Sequence, residues 1–170
     1  MDDRPLLQRQ NAFTLIELMI SILVLMVLVA VAVPSFTDLL ARNRLSGQAN
    51  ELLSVIQLAR SEAIKQNQTI RLCKANAELD DCSAASGSWS GWLVIETDSP
   101  ATVIRAGRFD QRLIISAAFT ELRFSGQGLI RSQNNQPLNS SFELCAEGAD
   151  FTDNGRTLNF LSGGRSSIQL

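Results

Sequence analysis

A single carboxylate, Glu17, stands at the start of the run Leu18 to Val33, where Ser21 is the only polar residue. An ionised acid inside a bilayer costs roughly 2.5–3.5 kcal/mol at the centre and less near the edge, unless a cation pairs with it. The chemistry open to Glu17 is therefore ion pairing in an apolar setting. The rest of the chain is poor in catalytic groups. It has no histidine and no tyrosine, which removes the usual general base and the commonest transition-metal ligand. Cys73, Cys82 and Cys145 have no short paired spacing of the zinc type. The stretch Gly87-Ser88-Trp89-Ser90-Gly91 imitates a nucleophile elbow, but tryptophan holds the central position and no histidine exists to activate a serine. The glycine-rich segments Ser125-Gly126-Gln127-Gly128 and Ser162-Gly163-Gly164-Arg165 lack the lysine and serine of a phosphate loop and read as turns. Carboxylates are scattered, with no legible pair. The residues predict no enzyme, no metal and no cofactor.

Charge excludes a second class. With 15 basic and 17 acidic residues the net charge is −2, so the chain as a whole has no electrostatic reason to bind nucleic acid, and only a local patch remains to be weighed.

The element that positions Glu17 is a helix. Twenty residues between Glu17 and Asp38 carry no charge, about the length that crosses a hydrocarbon core at 1.5 Å per residue. At the far end Pro34 removes a helix hydrogen bond and favours a kink. The flanks do not suit a secretory signal: the leader MDDRPLLQRQNA is polar and carries Asp2 and Asp3, and PSFTDLL after Val33 holds no A-x-A site. Beyond Pro34 the helical period continues. Leu45, Ala49, Leu52, Ile56, Ala59 and Ala63 form one apolar stripe, against Arg42, Glu51, Ser54, Gln57, Arg60 and Glu62. Gly47 is a weak spot, costing about 1 kcal/mol relative to Ala. One bent helix is expected from about Phe13 to Lys65.

From Thr69 the period changes to that of strands, with the clearest at Thr69–Cys73 and Trp92–Thr97. Further strands are expected at Val103–Ala106, Leu113–Ala118, Glu121–Phe124, Phe142–Cys145 and Thr157–Leu161, separated by Gly, Ser, Asn, Asp and Pro. Short connections between neighbours predict an antiparallel, meander-like sheet, so the fold class is α+β.

The stretch Ala12-Phe13-Thr14-Leu15-Ile16-Glu17-Leu18 resembles the class III signal of type IV pilins and pseudopilins. The phrase Ala59-Arg60-Ser61-Glu62-Ala63-Ile64, with Thr69–Cys73, Gly91-Trp92-Leu93-Val94-Ile95 and a terminal Gly-Arg, narrows the resemblance to the FimT/GspH group. The resemblance implies a prepilin leader at 1–12, a transmembrane and filament-core helix half at 13–34, an amphipathic half at 35–66, and a periplasmic β-rich head at 67–170. It implies cleavage by a prepilin peptidase between Ala12 and Phe13, with methylation of Phe13. Alanine stands where the family usually has glycine. It also implies that Glu17 pairs with the N-terminal amine of a neighbouring subunit, and that a proline at Pro34 kinks the helix. The implied partners are other pilins or pseudopilins, the peptidase, an inner-membrane assembly platform and the lipid bilayer. The implied place is the inner membrane as a single-pass protein, then a pilus or pseudopilus. Initiation or capping of a type IV pilus is the expected role. A minor pseudopilin of type II secretion and a DNA-binding minor pilin are the alternatives.

A periplasmic head permits disulfides. Cys73 and Cys82 flank KANAELDD, and a bridge there would staple that loop by roughly 2–3 kcal/mol on the chain-entropy model. Cys145 is then a buried free thiol; its pairing with either of the others is the alternative. For DNA, the resemblance points to a Gly-Arg-x-Arg pattern near the C-terminus. Here Gly164-Arg165-Ser166-Ser167 lacks the second arginine, leaving Arg131, Arg156 and Arg165 as candidate phosphate contacts.

Overall fold

The computed structural model describes residues 13–97, 102–146 and 155–169, apart from the side chains of Pro34, Ser35 and Asp38. It comprises two compact units, Met1–Leu40 and Ala41–Leu170. Helix α1, Leu15–Gln66, contributes to both.

In the first unit α1 begins at a cap. The backbone N–H of Glu17 donates to Thr14 Oγ1 at 3.3 Å, which satisfies one of the donors that a helix start leaves free. Thr14-Leu15-Ile16-Glu17 has the T-x-x-E spacing of a capping box. Ser21, the polar residue of the run, turns its hydroxyl onto the Glu17 carbonyl at 2.7 Å. Leu15–Val33 has a mean hydropathy of 2.9, and none of its residues is buried. At about 1.5 Å per residue its 19 residues reach close to the thickness of a hydrocarbon core. Helical backbone continues through Pro34.

In the second unit the expected stripe is the packed face of the helix. Leu45, Ala49, Leu52, Ile56, Ala59 and Ala63 are all buried, joined by Val55. They pack against two antiparallel sheets. Strands β1 (Ile70–Lys74), β2 (Gly91–Glu96), β3 (Val103–Arg108), β5 (Glu121–Phe124) and β6 (Ile130–Arg131) form the first, in the order β3-β2-β1-β5-β6. Strands β4 (Leu113–Ala117), β7 (Ser140–Ala146), β8 (Gly155–Phe160) and β9 (Ser166–Gln169) form the second, in the order β4-β7-β8-β9. Inner-face residues of both sheets, among them Leu72, Val94, Leu122, Ile115, Leu144 and Leu158, share one core with the helix stripe.

The antiparallel character follows expectation, but a single meander does not hold. Strands β1-β2-β3, β5-β6 and β7-β8-β9 pair in sequence order. β4 pairs with β7, and β5 crosses back to pair with β1. The connection between β4 and β5 carries Phe119, whose ring meets Phe142 at 4.9 Å and Trp89 at 5.9 Å edge-to-face. Burying this aromatic cluster between the sheets rewards the crossover. Both β6 and β9 lie where no strand was expected.

Candidate functional site

The N-terminal site is a helix start with a carboxylate on it. Phe13 is exposed immediately before the cap, and Glu17 lies on the first turn. Ala12 falls outside the described residues. No cation pairs with Glu17 among the described residues, and the apolar side chains that follow it are exposed, from Leu18 at 55% to Val33 at 55%. The arrangement can place a buried negative charge against an external cation once the apolar face is covered. Thr14 is the functional neighbour that sequence reasoning missed, although its T-x-x-E spacing was readable.

In the head, a second residue gains its meaning from contacts distant in sequence. Arg60 reaches from α1 to the β8–β9 turn, donating from Nη1 to the Gly164 carbonyl at 3.0 Å and from Nη2 to that of Gly163 at 3.4 Å. Gly164 has φ +83°, and a Cβ there would collide with the guanidinium. Gly128, at φ +75° in the β5–β6 turn, would place a Cβ 3.0 Å from Arg60 Nε and 2.8 Å from Ile64 Cδ1. Arg60 thus ties the helix to the β8–β9 turn and passes close to the β5–β6 turn, and both turns carry a positive-φ glycine where it passes. The phrase Ala59–Ile64 and the Gly-Arg near the C-terminus are two halves of this one contact.

Cys73 and Cys82 form a disulfide, with Cα atoms 5.7 Å apart. The loop it closes is organised from within. Asn76 donates from Nδ2 to Asp80 Oδ1 at 2.6 Å, and its Oδ1 accepts from the backbone N–H of Asp80 and Asp81. Beneath the following segment Lys74 is buried, and its Nζ donates to the carbonyls of Ala85 at 3.1 Å and of Ser86 and Gly87 at 3.5 Å. A lysine that satisfies three backbone acceptors holds this stretch without a carboxylate. Cys145 is free and half-buried rather than buried, its thiol 3.7 Å from the Ile114 carbonyl. Burial, and secondarily the Glu143 carboxylate, push its pKa up.

The candidate DNA contacts do not share one edge. The backbone N–H of Ile130 donates to the Ser162 carbonyl at 2.8 Å, which sets Arg131 beside the β8–β9 turn that carries Arg165. Arg156 sits at the other end of β8, paired in register with Leu144, its Nη1 on its own strand's Gly155 carbonyl. Four residue steps along the strand separate it from Phe160, about 13 Å at 3.3 Å per residue.

Comparison with known proteins covers both regions. A family model described as type II transport protein GspH matches residues 48–164. One described as the prokaryotic N-terminal methylation motif matches residues 7–33. No curated protein matches significantly. Among solved structures the chain is similar to the type IV minor pilin FimU of Pseudomonas aeruginosa, with TM-score 0.59, 25% identity, and coverage of 79% of this chain and 92% of that one. It shares a fold with the minor pseudopilin EpsH of the type 2 secretion system of Vibrio cholerae, with TM-score 0.54, 9% identity, and coverage of 74% and 96%.

Proposed function

The chain belongs to the GspH family, in which it is a minor pilin or pseudopilin, and from that premise we propose that it helps initiate or cap a type IV pilus. One observation carries the reading: Leu15–Val33 is helical, apolar and unburied by its own chain. Such a surface is stable only in an apolar solvent. A bilayer supplies that first, and the helices of neighbouring subunits supply it afterwards. The FimU likeness favours the pilus over the secretion pseudopilus, since it reaches 25% identity where the EpsH likeness has 9%. The description of the matching family as a type II transport protein favours the second reading, a minor pseudopilin.

On this proposal the prepilin peptidase cuts between Ala12 and Phe13 and the new amine is methylated. Glu17, four residues on, then accepts the amine of an adjacent subunit during assembly. Removing one partner of such a desolvated pair is costly, so the pairing sets register. Pro34 lacks the N–H that would lock its turn, so the helix yields most readily there as the subunit leaves the membrane platform. The head lies in the periplasm, where the Cys73–Cys82 bridge persists.

Deleting the gene and measuring sheared surface pili beside the export of secreted proteins separates the two systems. Fewer pili with normal export supports the pilus reading. Normal pili with lost export replaces it with the pseudopilin.

A further inference from the structure

The first sheet aligns Arg71 with Arg123, and Arg123 with Arg131. Register partners project to the same side, about 4.8 Å apart from strand to strand. Ile70, Leu72, Leu122, Phe124 and Ile130 of the same strands face the core with α1, so the alternating arginines cross the opposite face. Three guanidinium groups therefore stand in one row spanning about 9.6 Å, two strand spacings.

Like charges directly opposite one another destabilise a sheet. Here a single carboxylate pairs with two of the three cations. Glu121 is 8% exposed; its Oε1 accepts from Arg123 Nε at 2.7 Å and its Oε2 lies 3.6 Å from Arg71 Nη1. The Nε of Arg71 is buried with no hydrogen-bond partner. Arg131 donates from Nη1 to a neutral group, the Asn135 carbonyl, at 3.0 Å, and no carboxylate pairs with it among the described residues. Beside the row lies a polar cavity of about 220 Å³ lined in part by Arg71, Glu121 and Gln133. A second cavity of about 460 Å³, of mixed lining that includes Phe119 and Leu138, shares Thr120, Glu121 and Gln133 with it.

We infer that this row and trough dock an extended acidic segment in the head of another subunit, an inference that rests on the filament reading. The charge distribution selects the occupant. Glu121 neutralises the Arg71–Arg123 end and Asp81 lines the smaller cavity there, which leaves the excess positive charge at Arg131, directly before Ser132, Gln133 and Asn134, which line the larger cavity. The continuous charge of a nucleic-acid backbone would meet Asp81 and Glu121 along with the arginines. A peptide can set a carboxylate on Arg131 while its uncharged residues pass Asp81 and Glu121, which a continuous phosphate chain cannot do. Amide groups of Gln133 and Asn134 are placed to bond its backbone.

The test uses the full-length chain in detergent micelles and a fluorescein-labelled peptide with two glutamates on alternate residues. Controls are the glutamine version of the peptide and a single-stranded thymidine oligonucleotide. Anisotropy at low salt should show the glutamate peptide bound at least about tenfold more tightly than the glutamine one. Arg131→Glu should abolish that preference, Arg131→Gln should weaken it, and Arg131→Lys should keep most of it. In cells, Arg131→Glu should lower the chain's recovery in sheared fibres by about fivefold or more while its processed membrane pool and disulfide are unchanged. Equal affinity for the two peptides, a preference unchanged in Arg131→Glu, or tighter binding of the oligonucleotide at the same arginines would each overturn the inference. Absence of the unmodified chain from fibres would instead contradict the filament reading, and the peptide measurement would then decide the row alone.

Discussion

The two halves of α1 differ in how their apolar residues are arranged and meet opposite surroundings. From Leu15 to Val33 the apolar side chains cover the whole circumference and are exposed. From Leu45 to Ala63 most of them gather in one stripe, and the stripe is buried at 0–3% exposure. A helix that is apolar all round calls for an apolar solvent, whereas a striped one calls for a core of its own. One continuous helix thus carries two separate energetic problems, and only the second is solved within the chain.

The largest way to break the comparison is at Glu17, the charge that the first half cannot satisfy alone. Glu17→Ala should leave membrane insertion intact and lower recovery in fibres by roughly tenfold or more, since a desolvated pair loses a partner; quantitative immunoblotting of membrane and sheared fractions checks this. Next come paired truncations of one residue type in the two halves. Leu52→Ala should destabilise the head by about 2–5 kcal/mol, while Leu25→Ala should leave head unfolding unchanged within about 0.5 kcal/mol. Urea unfolding of the full-length chain in micelles reads both.

Reducing the disulfide should cost the head about 2–3 kcal/mol on the entropic account, and faster proteolysis should be confined to the loop from Asn76 to Asp81. Gly47→Ala makes the smallest change. Gly47 is exposed with nothing within 4 Å of an added Cβ, so alanine should stabilise the helix by up to about 1 kcal/mol.

The free thiol adds a pH dependence to the head alone. Its pKa is raised in the folded chain, so folding favours the protonated form. The associated stability is full below the thiol's unfolded pKa and is lost as pH rises through the raised one. Iodoacetamide should accordingly label Cys145 more slowly in the folded head than in urea at the same mildly alkaline pH, a difference that mass spectrometry resolves.

The helix was legible almost to the residue because its evidence is local. A 3.6-residue period named six stripe positions, and all six are buried. Four of the seven expected strands begin and end within one residue of the observed ones; the one at Val103 ends two residues early, and the starts of those around Phe142 and Thr157 fall two residues late. Sheet membership was not legible, since pairing Ile70 with Phe124 is a decision between distant segments. β6 is two residues long and β9 reads Ser-Ser-Ile-Gln, so neither shows the apolar alternation that announces a strand. Arg60 looked like a polar counterweight on a helix face. Its role lies 104 residues away at Gly164, and a family phrase could mark its importance without saying what it touches. The Cys73–Cys82 bridge was readable from spacing and compartment. Pairing among Arg71, Arg123 and Arg131 depends wholly on register and was invisible.

The division of α1 into a half solved by its own chain and a half left for an assembly is tested most directly at the mature N-terminus. Chain recovered from sheared fibres would be sequenced by mass spectrometry. N-methylated Phe13 as the first residue, with Glu17 intact in the fibre, is the expected result. An uncut leader in the fibre, or a chain cut after Val33 and released without its apolar helix, would contradict it.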